Sequence, residues 1–531
     1  MFHAALENYL CIVAEHVRKE KRDINSRYDV YPDRPCSSQS GIRPVLCFLS
    51  GTLQLLVKNT KILVLILIIG AAIYFFSRNF CTSDVADREV YTYSMGCSFD
   101  TRRYDATETF EALSNNSSNS LPKSISLEKY APRRQNQGMQ GSCVAWASSY
   151  AALSILYSRE TGLDPNETAF SPSYLHTRIA FDNCERAYLV DAMWEMKIGG
   201  VLPLSKFAYD EFSCSHKPEP FEESEARRFS IKGFNRLTES VNDYRVNLSA
   251  IKQNLAQGSP VVIGMMAGGS FTKAMQGQTT WFPKEADYNM RNFGGHAMCV
   301  IGYDDYHEGG AFQLMNSWGE DWGQGGLAWV RYKDFSYFVK EAYGLYPLEI
   351  AVATNKTANE ISFNIRIHND EYAEGRSIPF RIRGKGLANS ETVVSAKEKF
   401  NIEVINSLPC YIYLFGEESD GGNYILFPYS PKHSPYCGIT GARQFPKDSS
   451  LYIEKEGEKH RFALVVSHRP LDYLDLAKKL DASGVSELAE KLEMVLGPNI
   501  WLPVTPSKKG LTFSYPVDET AVRAVVVELN N

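Results

Sequence analysis

The 531-residue sequence lacks any marked excess of one charge: 56 Lys and Arg stand against 62 Asp and Glu, a net −6 at pH 7. A chain so balanced has no bulk attraction for a polyanion, and without a local basic patch nucleic acid is not expected as a partner. Cysteine is scarce. Eleven Cys over this length are too few for a disulfide-built scaffold, so their positions matter more than their number. Neither apolar residues (44%) nor charged residues (22%) are depleted, which excludes a mainly disordered or collagen-like chain. There is no internal repeat, and at roughly 150 residues per domain the length allows three or four units.

Long hydrophobic runs are also nearly absent, with one exception. Ile62 to Phe76 (ILVLILIIGAAIYFF) is apolar throughout and carries no charge. At ~1.5 Å per residue this run covers roughly 23 Å, short of a ~30 Å hydrocarbon core. Snorkelling of Lys61 and Arg78, with Asn59, Thr60 and Ser77 at the interface, closes the gap. A buried core helix and a cleaved signal peptide are the alternatives, but the long charged leader suits a signal peptide poorly. The reading adopted is a basic cytoplasmic leader over 1–61 and a single transmembrane anchor over 62–77. A polar linker follows over 78–120, with the larger part of the chain outside the cytoplasm. The Ser-Asn run at 114–120 suggests that this linker cannot bury a core.

Beyond the linker the pattern changes twice. Ser142 to Leu156 reads as a helix with a Ser start and an Ala-rich interior, ending near Gly162. Stretches 297–303, 311–316 and 326–332 read as strands between Gly-rich turns. After residue 350 the pattern turns β-rich, with runs at 361–367, 400–405, 410–415 and 462–467. Two helical patterns lie within 470–496, and a last strand runs through 521–529.

Three short segments carry chemistry. In Gln137-Gly-Met-Gln-Gly-Ser-Cys143-Val-Ala-Trp146, a Cys sits one position inside a helix start, where free N–H groups and the helix dipole favour thiolate. Gly294-Gly295-His296-Ala297 places a His at a strand start. Asn316-Ser317-Trp318-Gly319, followed by Trp322-Gly323, closes another strand. A Cys nucleophile needs a base, and the base needs an orienting partner on its other ring nitrogen. Cys143, His296 and Asn316 can fill those roles.

With these motifs, residues 121 to 346 resemble the papain-like cysteine peptidases, and the phrasing around Cys143, Ser171-Pro-Ser-Tyr-Leu and Gly-Gly-His-Ala-Met is similar to bacterial members. The resemblance implies an α+β, two-lobed papain-like fold over 121–350. A helical lobe would carry Cys143, and a β lobe would carry His296 and Asn316. A transmembrane helix would precede this domain and a β-rich accessory domain over 351–531 would follow it. It also implies Cys143 as nucleophile, His296 as base and then acid, Asn316 as its orienter, and Gln137 as an oxyanion donor. Trp318, with Gly295 and Trp322, would support the cleft. A Cys184–Cys214 disulfide in the first lobe is implied in the same way. The implied activity is hydrolysis of peptide bonds in a polypeptide substrate through a thioester, without cofactor or metal. Rival readings are an exopeptidase or amidase with the same three residues, and a non-catalytic binding protein.

The sequence also departs from that family. Gln140 stands where a bridging Cys is frequent, Val144 where a Trp is, and no Cys-Asn-Gly-Gly segment surrounds Cys184-Glu185-Arg186. No long helical propeptide fits before Leu121. Cys299 reads as core. Cys410, His433 and Cys437 offer too few ligands at unusual spacing for zinc, which leaves a disulfide or two free thiols. The stretches Tyr424-Ile-Leu-Phe-Pro-Tyr and Gly438-Ile-Thr-Gly resemble a domain of unknown function that accompanies peptidase-like domains. That domain is expected either to bind a protein partner or position the enzyme, or to serve only as a stabilising appendage.

Overall fold

The computed structural model describes residues 93–114, 119–181, 184–240, 243–348, 360–369, 372–384, 386–418, 421–447, 449–455, 457, 459–501, 503–507, 510–514 and 521–530. The expected leader 1–61 and anchor 62–77 lie outside them. Among the described residues no helix is long and apolar enough to cross a membrane.

The helix that begins at Cys143 runs without a break to Thr161, with a π-helical stretch over Trp146–Leu153 between two α-helical ends. It stops at Gly162, whose left-handed backbone (φ 73°) lets its N–H reach the Ser158 carbonyl at 2.8 Å. Ala145, Ala152, Leu153, Ile155 and Leu156 are all buried, so the helix is apolar nearly all round and forms the centre of its lobe. Helices Pro172–Ile179 and Leu189–Ile198 pack around it; the first is capped by Ser171, whose hydroxyl accepts from Tyr174 N at 3.0 Å. The expected disulfide Cys184–Cys214 is formed in this lobe.

The second lobe is an eight-stranded sheet ordered Ile231–Arg236, Val339–Leu348, Val261–Ala267, Gly294–Asp304, Ala311–Met315, Leu327–Arg331 and Thr280–Trp281, with Ser124–Ser126 paired to Gly294–Asp304. Residues 296–303 are buried without interruption, as befits a central strand. Hydrophobic side chains of both lobes form one core.

The C-terminal part holds two seven-stranded sheets. Ile361, Phe363 and Ile402 of one meet Ile412, Leu414, Leu464, Val466, Val525 and Val527 of the other. The intervening residues Tyr413, Phe415, Ala463, Val465, Ala524 and Val526 face the helices Tyr473–Asp481 and Leu488–Leu496 instead. Successive strand residues point to opposite faces, so covering both faces makes these strands continuously apolar. Cys410 and Cys437 lie opposite each other in an antiparallel pair as buried free thiols. Among the described residues no cluster of His, Cys, Asp and Glu could hold a metal.

The polar linker departs from expectation. Residues 93–114 are not a solvated spacer but a strap laid across both domains. Tyr104 and Leu113 are buried, and the strap forms a short helix, Thr101–Ala106, capped by Asp100. Short β pairings flank this helix, with Cys97–Ser98 parallel to Ala187–Tyr188 and Thr109–Phe110 parallel to His433–Ser434.

Candidate active site

Cys143 stands at the contact between the long helix and the central strand. Its sulfur accepts from Ala297 N at 3.4 Å, the residue after His296, so helix start and strand start meet at the thiol. His296 Nε2 lies 2.7 Å from Asn316 Oδ1, which also accepts from Ser317 N at 2.8 Å. An amide oxygen can only accept, so the imidazole hydrogen belongs on Nε2. Nδ1, buried and without a hydrogen bond, keeps the lone pair. That is the tautomer needed to take a proton from a thiol.

Trp318 stacks with His296 at 4.1 Å between ring centroids and 21° between planes, and covers the His296–Asn316 bond. Trp322 meets the edge of Trp318 and fixes its own indole on the Phe271 carbonyl at 3.0 Å. Gln137 is fully buried; its carbonyl accepts from Ser317 Oγ at 2.6 Å and its amide donates to Gln140 O at 2.9 Å. One of its two N–H donors is therefore used within the loop that precedes Cys143. Gln140 fills the place of the missing Cys by polar means, donating to the carbonyls of Asp210 at 3.2 Å and Ser213 at 3.3 Å. It thereby ties the loop before Cys143 to the segment that ends at the disulfide.

The remaining neighbours of the sulfur come from the strap. Gly96 N donates to Cys143 Sγ at 3.2 Å, while Gly96 O accepts from Ala187 N at 2.9 Å. Tyr93 stacks with Trp318 at 4.7 Å, and the Trp318 indole donates to Ser94 O at 3.0 Å. The fit requires glycine on both sides: a Cβ on Gly96 would sit 1.7 Å from Gly141 O, and one on Gly295 would sit 2.0 Å from Cys97 O. Gly295, expected to support the cleft, thus gives the strap room to lie flat.

Closure changes the electrostatics expected from the helix start. Burial pushes the Cys143 thiol up to about 11, against the opposing pull of the backbone N–H groups of Ala297, Gly96 and Val144. Burial likewise holds His296 down at about 4, with the Asn316 hydrogen bond working the other way. The covered pair is a neutral thiol beside a neutral imidazole, because loss of water outweighs the helix terminus. Cys299, two positions beyond Ala297, is raised further by burial and has no such ring of donors.

The model of the papain family cysteine protease matches residues 121–343. That segment belongs to the papain family. An uncharacterized peptidase C1-like protein of Acanthamoeba polyphaga mimivirus is 27% identical over 208 residues, covering 37% of this chain and 64% of the relative. Cathepsin K of Mus musculus is 26% identical over 215 residues, covering 39% of this chain and 59% of the relative. The chain thus spans less than two thirds of these relatives. Among solved structures, xylellain, a cysteine protease from Xylella fastidiosa, aligns at 20% identity and a TM-score of 0.40, over 50% of this chain and all of that one.

The structure brings Cys143, His296, Asn316, Gln137, Trp318, Trp322 and Gly295 together around one buried centre. The strap was missed, although Tyr93, Met95, Cys97 and Phe99 alternate with Ser94, Gly96 and Ser98 in the two-residue period of a strand.

Proposed function

We propose that the chain is a cysteine peptidase in which Cys143 attacks a peptide carbonyl, His296 takes the thiol proton and returns it to the leaving amine, and Asn316 orients the imidazole. Water then hydrolyses the thioester. The observation that carries this reading is the His296 Nε2–Asn316 Oδ1 bond at 2.7 Å, which leaves Nδ1 free beside the strand residue that contacts Cys143 Sγ. Gln137 and the Cys143 backbone N–H would stabilise the oxyanion, the second N–H of Gln137 turning to it as substrate enters. The substrate is a polypeptide. Anchoring through residues 62–77 would place the enzyme on the outer side of a membrane, a location that the Cys184–Cys214 disulfide supports.

The test uses the full chain carrying Gly96→Val, which opens the cleft, and the same chain with Cys143→Ala. The first should cleave a denatured protein at internal bonds and take up a thiol-directed epoxide at Cys143. The second should do neither. Hydrolysis that survives Cys143→Ala would sink the assignment, whereas release of single terminal residues would favour an exopeptidase. Recovery of the protein in membranes after alkaline washing, lost on deletion of 1–78, checks the anchor.

A further inference from the structure

A hollow lies beside Cys143 on one face of the central sheet. Gly264 stands opposite Ala297 on one neighbouring strand and opposite Glu341 on the other. Directly opposed residues share a face, and so do residues two apart along a strand, which adds Gly295 to the row. Two of these four positions have no side chain. A Cβ on Gly264 would sit 2.7 Å from the Phe99 ring, 3.0 Å from Leu189 Cδ1 and 3.2 Å from Cys97 Sγ, and one on Gly295 would sit 2.9 Å from the same ring. The two glycines are therefore the floor of the hollow, Leu189 is a wall, and Phe99 fills it.

Glu341 ends the row. It is buried, and among the described residues its one hydrogen-bond partner is the Tyr343 hydroxyl at 3.4 Å, with no cation against it. Other buried carboxylates of the chain are paired: Glu403 with Arg366 at 2.8 Å, Asp334 with Arg331 at 2.6 Å, and Glu417 with Arg461 and Lys491 at 2.6 and 3.0 Å. Burial raises Glu341 to about 8, the Tyr343 bond acting against this and Asp100 adding to it. Its charge also reaches the strap, since the Cys97 thiol is pushed up by burial, then by Cys143 and by Glu341. An acid thus stands at the end of an apolar hollow whose occupants, Cys97 and Phe99, offer it no positive charge. Keeping an acid there costs stability, and the scaffold gains nothing visible from it.

We propose that Glu341 is a specificity-determining residue that selects a basic side chain, Lys or Arg, in the polypeptide substrate. The inference rests on the peptidase reading of the cleft and names its substrate class. A substrate that reaches Cys143 takes the place of Cys97 and Phe99, and one of its side chains enters the hollow. The apolar stem of Lys or Arg suits the glycine floor and Leu189, while its charged head meets the carboxylate. A neutral side chain fills the same space but leaves the acid without a partner. An acidic one sets two carboxyls together.

The experiment uses the full chain carrying Gly96→Val, with and without Glu341→Gln, a change that keeps the side chain's size and removes its charge. Blocked peptides in which one position at a time is Arg, Leu or Glu serve as substrates, and kcat/KM is measured for each. At one position the Gly96→Val protein should prefer Arg to Leu and Leu to Glu. Glu341→Gln should cut the Arg-to-Leu ratio there by about tenfold to a hundredfold, the range for one charge-assisted hydrogen bond, and should raise Glu relative to Leu. A preference for Leu that Glu341→Gln leaves alone would overturn the inference while the peptidase stands. An equal fall for all three peptides would make Glu341 a structural residue and overturn it too. If no peptide is cut, the peptidase reading fails, and calorimetric binding of the same peptides to the chain with Gly96→Val and Cys143→Ala decides the rest. Tighter binding of the Arg peptide that Glu341→Gln abolishes would keep the site; equal binding of Arg and Leu peptides would remove it.

Discussion

The papain-family cleft and the C-terminal domain both bury polar groups, and they do so in opposite ways. In the C-terminal domain, Arg461 donates to Glu417 at 2.6 Å and to Glu528 at 2.7 Å. Lys491 sets its ammonium among Glu417, Gly421 O and Asn423 at 3.0, 2.6 and 3.2 Å. Both of these buried cations have a carboxylate against them. In the cleft, Cys143 and His296 are equally buried, yet each stays neutral and His296 Nδ1 has no hydrogen bond. A compensated network fixes a structure. On the proposed reading such an uncompensated pair would take its partner from the substrate; in the structure a strap of the same chain lies against Cys143 Sγ.

The largest effect should separate chemistry from stability. In the Gly96→Val background, Cys143→Ala should abolish peptide hydrolysis while leaving the melting temperature nearly unchanged, since a small buried side chain is replaced by a smaller one. A large fall in melting temperature would mean that the thiol belongs to the scaffold after all. Arg461→Leu should do the reverse. It leaves Glu417 with Lys491 as its remaining cation and removes charge-assisted bonds to Glu417 and Glu528, a change expected to cost about 1.5–3 kcal/mol, to be read from denaturant unfolding of the C-terminal domain. If unfolding is untouched, the contrast between the two regions collapses.

Gln137→Ala should lower kcat by about a hundredfold to a thousandfold if its amide serves the oxyanion. A change in KM alone would reduce Gln137 to holding Ser317 and Gln140. A smaller effect follows from protons. With the strap seated, His296 titrates near 4 instead of its ordinary 6.5, and Cys143 near 11 instead of 9. Between pH 6.5 and 4 the closed cleft binds fewer protons than an open one, so acid favours opening. Between 9 and 11 it binds more, so alkali favours opening too. Closure should be firmest from about pH 6.5 to 9, and hydrogen exchange at Gly96, corrected for its intrinsic rate, should be slowest there. A flat profile would mean that the strap does not desolvate the pair.

The smallest effect concerns Glu341, buried behind the strap beside Tyr343 and raised by burial to about 8. Its folded value lies above its ordinary one, so its ionisation removes stability as pH climbs toward 8. Glu341→Gln should melt higher than wild type at pH 8, and the difference should vanish near pH 4. Equal melting temperatures at pH 8 would show that water reaches the carboxylate.

Much of this was legible in the residues. The helix from Ser142 and the strands at 297–303 and 311–316 announce themselves by local periodicity, and the cleft residues by motif. What stayed hidden depends on distant partners. Nothing local tells that Val522–Asn530 inserts between His460–Ser467 and Leu387–Val393, antiparallel to one and parallel to the other. The strap was obscured for a different reason. Its average composition is polar, and the Ser-Asn run beside it suggests a spacer, yet a strand two residues long needs only a few apolar side chains and a docking edge. The protonation state of Cys143 was misjudged from the helix start alone, because the residues that shut out water lie nearly fifty positions earlier.

Gly96 presents its N–H to the sulfur, not its carbonyl face. A hydrogen bond of this kind places Sγ in the plane of the Met95–Gly96 amide, on the hydrogen side, whereas acyl transfer requires approach from above the carbonyl carbon. The Gly96 carbonyl itself is occupied by Ala187 N. The chain thus holds the Met95–Gly96 peptide bond against Cys143 in an orientation unsuited to acyl transfer. On the proposed reading such a stopper would not be consumed by use, and each molecule could open, turn over and shut again.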